Sequence, residues 1–244
     1  ALTRSDGTPV GAVLGFTNML VKLLAEHGAE YIAVVFDPEG PSFREDIYEQ
    51  YKANREAPPE DLIPQFALMR EAAEAFNLPA LELAGYEADD VIATYARRAR
   101  ERGQKAVIVS SDKDLMQLID DDRVVMFDPV KEAWLGPEAV DRKFGVAPAR
   151  VADLQARAGD PTDNIPGIQG IGVKTAATLL DQFGDLETLL ARAAEIPQPG
   201  RRKRIETGAA DARLSRRLVG LADDAPVARP IEDLHPHRPD LKRL

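Results

Sequence analysis

The chain has no cysteine. Disulfides and thiolate-bound metals are therefore excluded, and the absence suits a reducing, cytoplasmic setting. No apolar run is long enough to cross a bilayer, and no signal-peptide pattern opens the chain. A basic excess is missing too. With 41 acidic residues against 31 basic ones the net charge is −10, which alone argues against a nucleic-acid partner. The first residue is Ala1 rather than Met, with no strand-like start, so a piece upstream is expected. What is present is 44% hydrophobic and 30% charged content over 244 residues. That is enough for one large domain, or for a core with a smaller appendage.

The rest is organised around Gly85-Tyr86-Glu87-Ala88-Asp89-Asp90-Val91-Ile92. Pro79–Leu83 reads as a short strand and Gly85 as a turn, and the apolar Val91, Ile92, Tyr95, Ala96 and Ala99 recur at helical spacing. Ligands bind at such strand–helix junctions in open α/β sheets. One acid at a helix start is an ordinary cap favoured by the dipole. Three together repel one another and make best sense around a cation.

Two more buried runs end in acids. Glu30–Phe36 leads to Asp37, and Lys105–Ser111 leads to Asp112-Lys113-Asp114. Each alone could start a turn. Strand–helix alternation predicts that all three strand ends point the same way. Their recurrence indicates an oxygen-only site for a hard cation, magnesium or manganese. Arg123–Phe127 and Glu132–Leu135 read as a peripheral pair of strands. Helices are expected over Val10–Glu26, ended by Gly28, and over 61–77.

Residues 38–64 are long, polar and rich in proline, with Arg44, Lys52 and Arg55 among Phe43, Tyr48 and Tyr51. That alternation suits single-stranded nucleic acid, although composition alone favours a solvated loop. From about residue 136 the pattern is helical. There Asp160 and Asp163 precede the glycines Gly167, Gly170 and Gly172, then Lys174 and Thr175 at a helix start. Closely spaced glycines let backbone amides approach a phosphate, or make only a tight corner. The Walker order is absent, so a duplex backbone is favoured over a nucleotide. Arg201, Arg202, Lys203, Arg204, Arg213, Arg216 and Arg217 face only Glu206 and Asp211, a local net of +5 that suits a duplex track. The prolines after Asp223 read as a linker.

Val35-Phe36-Asp37, Ser42-Phe43-Arg44, Tyr51-Lys52-Ala53-Asn54-Arg55, Gly85–Asp90, Asp112-Lys113-Asp114 and Gly159–Gly167 stand in the order seen in bacterial 5′ nucleases. The chain resembles that family over nearly its whole length. The resemblance implies an α/β fold: a parallel-sheet nuclease core, PIN-like or resolvase-like, over 1–157, with a helical arch at about 38–64. It implies a helical DNA-binding part with a helix–two-turn–helix over 158–222, and a tail or linker over 223–244. Two divalent metal ions, Mg²⁺ or Mn²⁺, would be held or oriented by Asp37, Glu87, Asp89, Asp90, Asp112, Asp114, Asp160 and Asp163, with Lys52 and Arg55 as catalytic cations. Arg44, Tyr51, Gly167, Gly170, Gly172, Lys174, Thr175, Arg201, Arg202 and Arg204 would contact DNA. A monovalent cation is placed at the 167–172 loop. The substrate would be branched or nicked duplex DNA with a 5′ single-stranded flap, met by a monomer in the cytoplasm. A polymerase domain could share the chain.

Relatives in this family open with a further strand carrying a metal-site Asp and a nearby Arg, both upstream of Leu2. Either that strand precedes this stretch, or it has been lost. Two rival readings stand beside the nuclease: a catalytically impaired junction-DNA binder, and a PIN-like single-strand ribonuclease.

Overall fold

The computed structural model describes residues 2–121, 123–240 and 242. Helix α1 (Gly11–Glu26) turns Phe16, Leu20 and Leu24 toward Ile32, Val34, Phe76 and Leu78. Its first amides are capped from outside: Gln65 Oε1 accepts Ala12 N and Val13 N at 2.8 and 3.2 Å. Strand β1 (Val34–Val35) is shorter than the apolar run 30–37 suggests. Its Val34 and Phe36 amides donate to Pro79 and Leu81, and no second strand flanks it among the described residues. Helix α2 (Phe43–Ile47) is one turn held by a Ser42–Glu45 capping box. Helix α3 (Ile63–Ala75) leads to β2 (Ala80–Leu81), parallel to β1, and α4 (Ala88–Glu101) follows Gly85, whose φ of 81° is the left-handed turn expected there.

A second sheet comprises β3 (Ala106–Val109), β4 (Val124–Asp128) and β5 (Ala133–Leu135), with β3 and β4 parallel and β5 antiparallel. The expected parallel sheet is thus two small sheets, with α4 packing against β1 of one and β3 of the other. Of the pair read as peripheral, β5 is an edge strand and β4 is not. β4 is central and nearly all buried, because β3 and β5 cover both its edges.

Helices α5 (Pro137–Phe144), α6 (Val151–Ala158), α7 (Val173–Phe183), α8 (Leu186–Ala191), α9 (Pro199–Thr207) and α10 (Ala209–Val219) make the helical part. Leu154, Leu179, Leu180, Leu189, Ile205 and Leu218 are fully buried there, each worth about 1.5–3 kcal/mol of transfer free energy. Arg157 is buried among them. It donates to the Asp153 and Gly184 carbonyls, and burial pulls its guanidinium down to about 10.

The prolines after Asp223 do not make a free linker. Residues 222–240 lie along the core as a strap. Tyr95 Oη donates to Arg229 O, Arg97 Nε to Asp223 O and Ile32 N to Leu234 O, while Asp240 N donates to Ala75 O. Ile231 and Leu234 are buried. An extended segment has no periodicity to read, yet its carbonyls serve as acceptors for side chains of α4. Leu241, Arg243 and Leu244 of the expected tail lie outside the described residues. No helix among the described residues is long and apolar enough to cross a membrane.

Candidate active site

The acids predicted at strand ends meet. Asp37 after β1, Glu87 and Asp89 at the start of α4, Asp112 and Asp114 after β3, and Asp163 after α6 line one open cleft with Arg44, Tyr51, Lys52 and Arg55. Asp160 joins through Lys113, whose ammonium bonds Asp160 Oδ2 and lies 3.9 Å from Asp114 Oδ1. Asp37 Oδ1 accepts the Ala88 amide at 2.7 Å, which fixes the end of β1 to the first turn of α4. Asp112 Oδ1 accepts Asp114 N, and Gln155 from α6 donates to Asp114 Oδ1 at 2.6 Å.

Charge is distributed unevenly. Asp89 is pushed up to about 7, first by burial and then by Asp112, Asp114, Glu87 and Asp37. Burial also raises Asp114, though Gln155 and Lys113 oppose it. At Asp160 burial is outweighed by Lys113 and the Thr162 amide, so its carboxyl lies below the usual range. Lys52 pairs with Glu87, and Arg55 reaches Asp163 Oδ1 at 2.6 Å. No ion pair reaches Asp37, Asp89 or Asp112 among the described residues.

The donor set is carboxylate oxygen without sulfur or imidazole, and Asp89 carries a charge that only a cation or a proton relieves. That fits hard divalent ions. Among the described residues no three acids already form a cage, and Lys52, Arg55 and Lys113 pair with Glu87, Asp163 and Asp160.

Four sequence-predicted residues do other work. Asp90 is fully buried and its two oxygens accept four hydrogen bonds: from Arg44 Nη1 and Nη2 at 2.7 and 2.8 Å, and from the Glu87 and Ala222 amides. With its lone pairs so committed, it is a structural carboxylate rather than a metal ligand. Arg44 is equally buried and also donates to the Leu218 and Gly220 carbonyls, so it does not face DNA. Burial works against its charge, but Asp90 and Glu87 hold its pKa above the usual arginine range. Tyr51 is 5% exposed, its hydroxyl 3.0 Å from Glu87 Oε2, so it lies under the site. Gly167 is buried, and its amide donates to Ser215 Oγ at 2.8 Å. A Cβ there would stand 2.2 Å from Gly159 N. That glycine serves a close backbone approach, not a phosphate.

The remaining duplex candidates divide. Gly170, Gly172 and Lys174 are exposed and Thr175 is half-buried at the start of α7, with the Arg204 guanidinium over Gly170. Arg202 folds back onto the Ile196 carbonyl, and Arg201 lies near Gln198. Arg213 and Arg216 are paired with Glu187 and Asp153, which cuts the free charge of the basic run. The arch segment is partly fixed. Lys52 N donates to Asp163 O, Asn54 to Pro161 O and Asn164 to Gln50 O, so residues 50–55 dock on the Asp160–Asn164 turn. Polar pairing orders them where apolar content could not. Sequence reasoning passed over Lys113, Gln155 and Ser215. For Lys113 a signal existed, since a base between two site acids must pair somewhere.

Carboxylates from several strand ends thus share one cleft beside a helical part. The chain belongs to the 5′-3′ exonuclease family: residues 1–145 match its N-terminal resolvase-like domain, and residues 146–242 its C-terminal SAM fold. The two matches meet at 145/146, and α6 packs against α7 and α10 of the helical part. The chain is 54% identical over 234 residues to DNA polymerase I of Rhizobium leguminosarum, covering 93% of this chain and 23% of that protein. It therefore spans about a quarter of the length of the polymerases it matches. It is 39% identical over 243 residues to the 5′-3′ exonuclease of Aquifex aeolicus, covering 100% of this chain and 82% of that protein. Its fold matches T5 5′-exonuclease bound to divalent zinc, with a TM-score of 0.75, 22% identity and coverage of 89% and 83%. The catalytic core of Rad2 with DNA substrate matches at 0.62, with 16% identity and coverage of 99% and 79%.

Proposed function

We propose that this chain is a structure-specific 5′ nuclease that hydrolyses phosphodiester bonds at 5′ flaps and 5′ ends of DNA. The observation that carries this reading is the single cleft joining acids from three strand ends and the Asp160–Asn164 turn, with Lys52 and Arg55 set among them. Asp37, Glu87, Asp89, Asp112, Asp114, Asp160 and Asp163 would hold two Mg²⁺ or Mn²⁺ ions. When bound, such ions offset the negative charge that hydrolysis places on the attacking and leaving oxygens. Lys52 and Arg55 meet the phosphate that is cut and oppose charge that grows as it reacts. Asp37 and the Glu87 cap keep α4 against the strand ends, so that Asp89 stays inside the cleft.

Duplex DNA is held elsewhere, by the exposed Gly170–Thr175 edge with Arg204, through its phosphates. A monovalent cation at this loop belongs to the same reading. The working form is a cytoplasmic monomer, and in polymerase relatives of this length class a polymerase shares the chain. A labelled 5′-flap DNA, a blunt duplex and a single-stranded RNA, each with and without Mg²⁺, test the proposal. Mg²⁺-dependent cutting of the flap is expected. Binding without cutting would leave a junction-binding protein, and preferential cutting of the RNA a ribonuclease.

A further inference from the structure

The proposed chemistry leaves Lys113 without a task. It stands in sequence between two site acids, and its side chain turns toward Asp160, beside the cleft that Asp114 lines. There its ammonium bonds Asp160 and lies 3.9 Å from Asp114. The two carboxylates come from different parts of the fold: Asp114 follows β3, and Asp160 follows α6. A lysine held this way gives up rotamer freedom and hydration, which an isolated surface pair does not offset. Here the acids are 23% and 5% exposed, so each needs a counter-charge. The gap is also where a cation shared by Asp114 and Asp160 would have to stand.

We propose that Lys113 is an internal counter-ion: it occupies the Asp114–Asp160 gap in the metal-free protein, and a divalent ion enters that gap only by displacing it. The proposal rests on the reading of the cleft as a site for two divalent ions. It makes those ions unequal. Among the described residues no ion pair reaches Asp37, Asp89 or Asp112, whereas at Asp114 and Asp160 the ion competes with the ammonium of Lys113. Displacement frees Lys113 toward solvent, so loading the second ion and releasing this side chain are one event.

The test titrates Mn²⁺ into the metal-free 244-residue chain by calorimetry. Two sites of unequal affinity are expected. Lys113→Met keeps the length and removes the charge, and should tighten the weaker site by about tenfold, the factor that about 1.4 kcal/mol of lost competition gives. The tighter site should keep its affinity. Lys113→Arg, which keeps the charge, should keep the weak affinity. A second measurement needs no variant: an amine-reactive reagent should label Lys113 faster with Mn²⁺ than without, with the exposed Lys174 as reference. Lys113→Met affinities at or below the parent values, or labelling unchanged by Mn²⁺, would overturn the counter-ion. A parent chain that takes up no Mn²⁺ would overturn the metal reading itself, and the counter-ion with it.

Discussion

Residues before Pro79 and residues after Gly136 are held together by different means. In the later region Leu154, Leu179, Leu189, Ile205 and Leu218 are 0–1% exposed and belong to one apolar cluster. In the earlier one the cluster of Leu20, Phe76 and Leu78 is small, and Leu14, Val21, Ile63 and Phe66 are 45–53% exposed. Directed polar contacts replace the missing core: Gln65 on α1, Arg44 on Asp90, Asp37 on α4, and the carbonyls of the strap. An apolar core tolerates substitution so long as volume is kept. A polar scaffold does not, because each partner removed strands the other. The region that carries Asp37, Lys52 and Arg55 is the polar one, so the groups that position its side chains are also those that keep it folded.

The largest effect is expected where the contrast is sharpest. Arg44→Ala leaves Asp90 buried without its cation and should cost about 3–5 kcal/mol, read from urea unfolding. A loss below about 1 kcal/mol, the scale of a surface pair, would show the polar tie to be dispensable. Next, Leu179→Ala in the helical part should cost about 2–5 kcal/mol, and Leu20→Ala in α1 clearly less, since its surroundings are open. Equal costs would erase the distinction between the regions.

Third, Lys52→Ala and Arg55→Ala should slow single-turnover cleavage by on the order of a hundredfold and change duplex affinity only a few-fold. Lost binding with an unchanged rate would make the 50–55 segment an anchor rather than part of the chemistry.

The smallest effect concerns Asp89. Its folded carboxyl, raised to about 7, binds a proton more readily than in the unfolded chain, where about 3.9 is usual. Its contribution favours the folded state at low pH and is lost as pH rises toward 7. Asp89→Asn should therefore melt a few degrees higher than the parent at pH 8 in EDTA, and level with it below pH 4. A gap that stayed constant across that range would assign the effect to packing.

The acids at strand ends were legible because each follows a buried run, and parallel topology brings such ends together. Asp90 was expected at a metal and Arg44 on DNA because their partners lie far away in sequence: each other, at a separation of 46, and the backbone near Leu218 and Ala222. Gly167 was read as a phosphate contact because its fit against Gly159 is invisible without coordinates. The strap was read as a linker because proline-rich extended chain has no hydrophobic period, while its role rests on backbone carbonyls that every residue has. The parallel core was legible from its apolar runs, and the structure realises it as two small sheets, in which β1 has a neighbour on a single side among the described residues.

The strap also bears on how the molecule is made. Leu234 closes on Ile32, and Asp240 on Ala75, across some of the widest sequence separations in the fold. Contacts of that span form slowly, because a long loop must close before they reward it. On a ribosome, which delivers the chain from its first residue onward, α1, β1 and α3 emerge early but lack these partners until residues 231–240 are out. The helical part between them packs on local contacts and can settle first. The lobe of α1, β1 and α3 is therefore finished last, and a chain stopped near residue 225 should hold a sound helical part beside an unlatched, protease-sensitive first lobe.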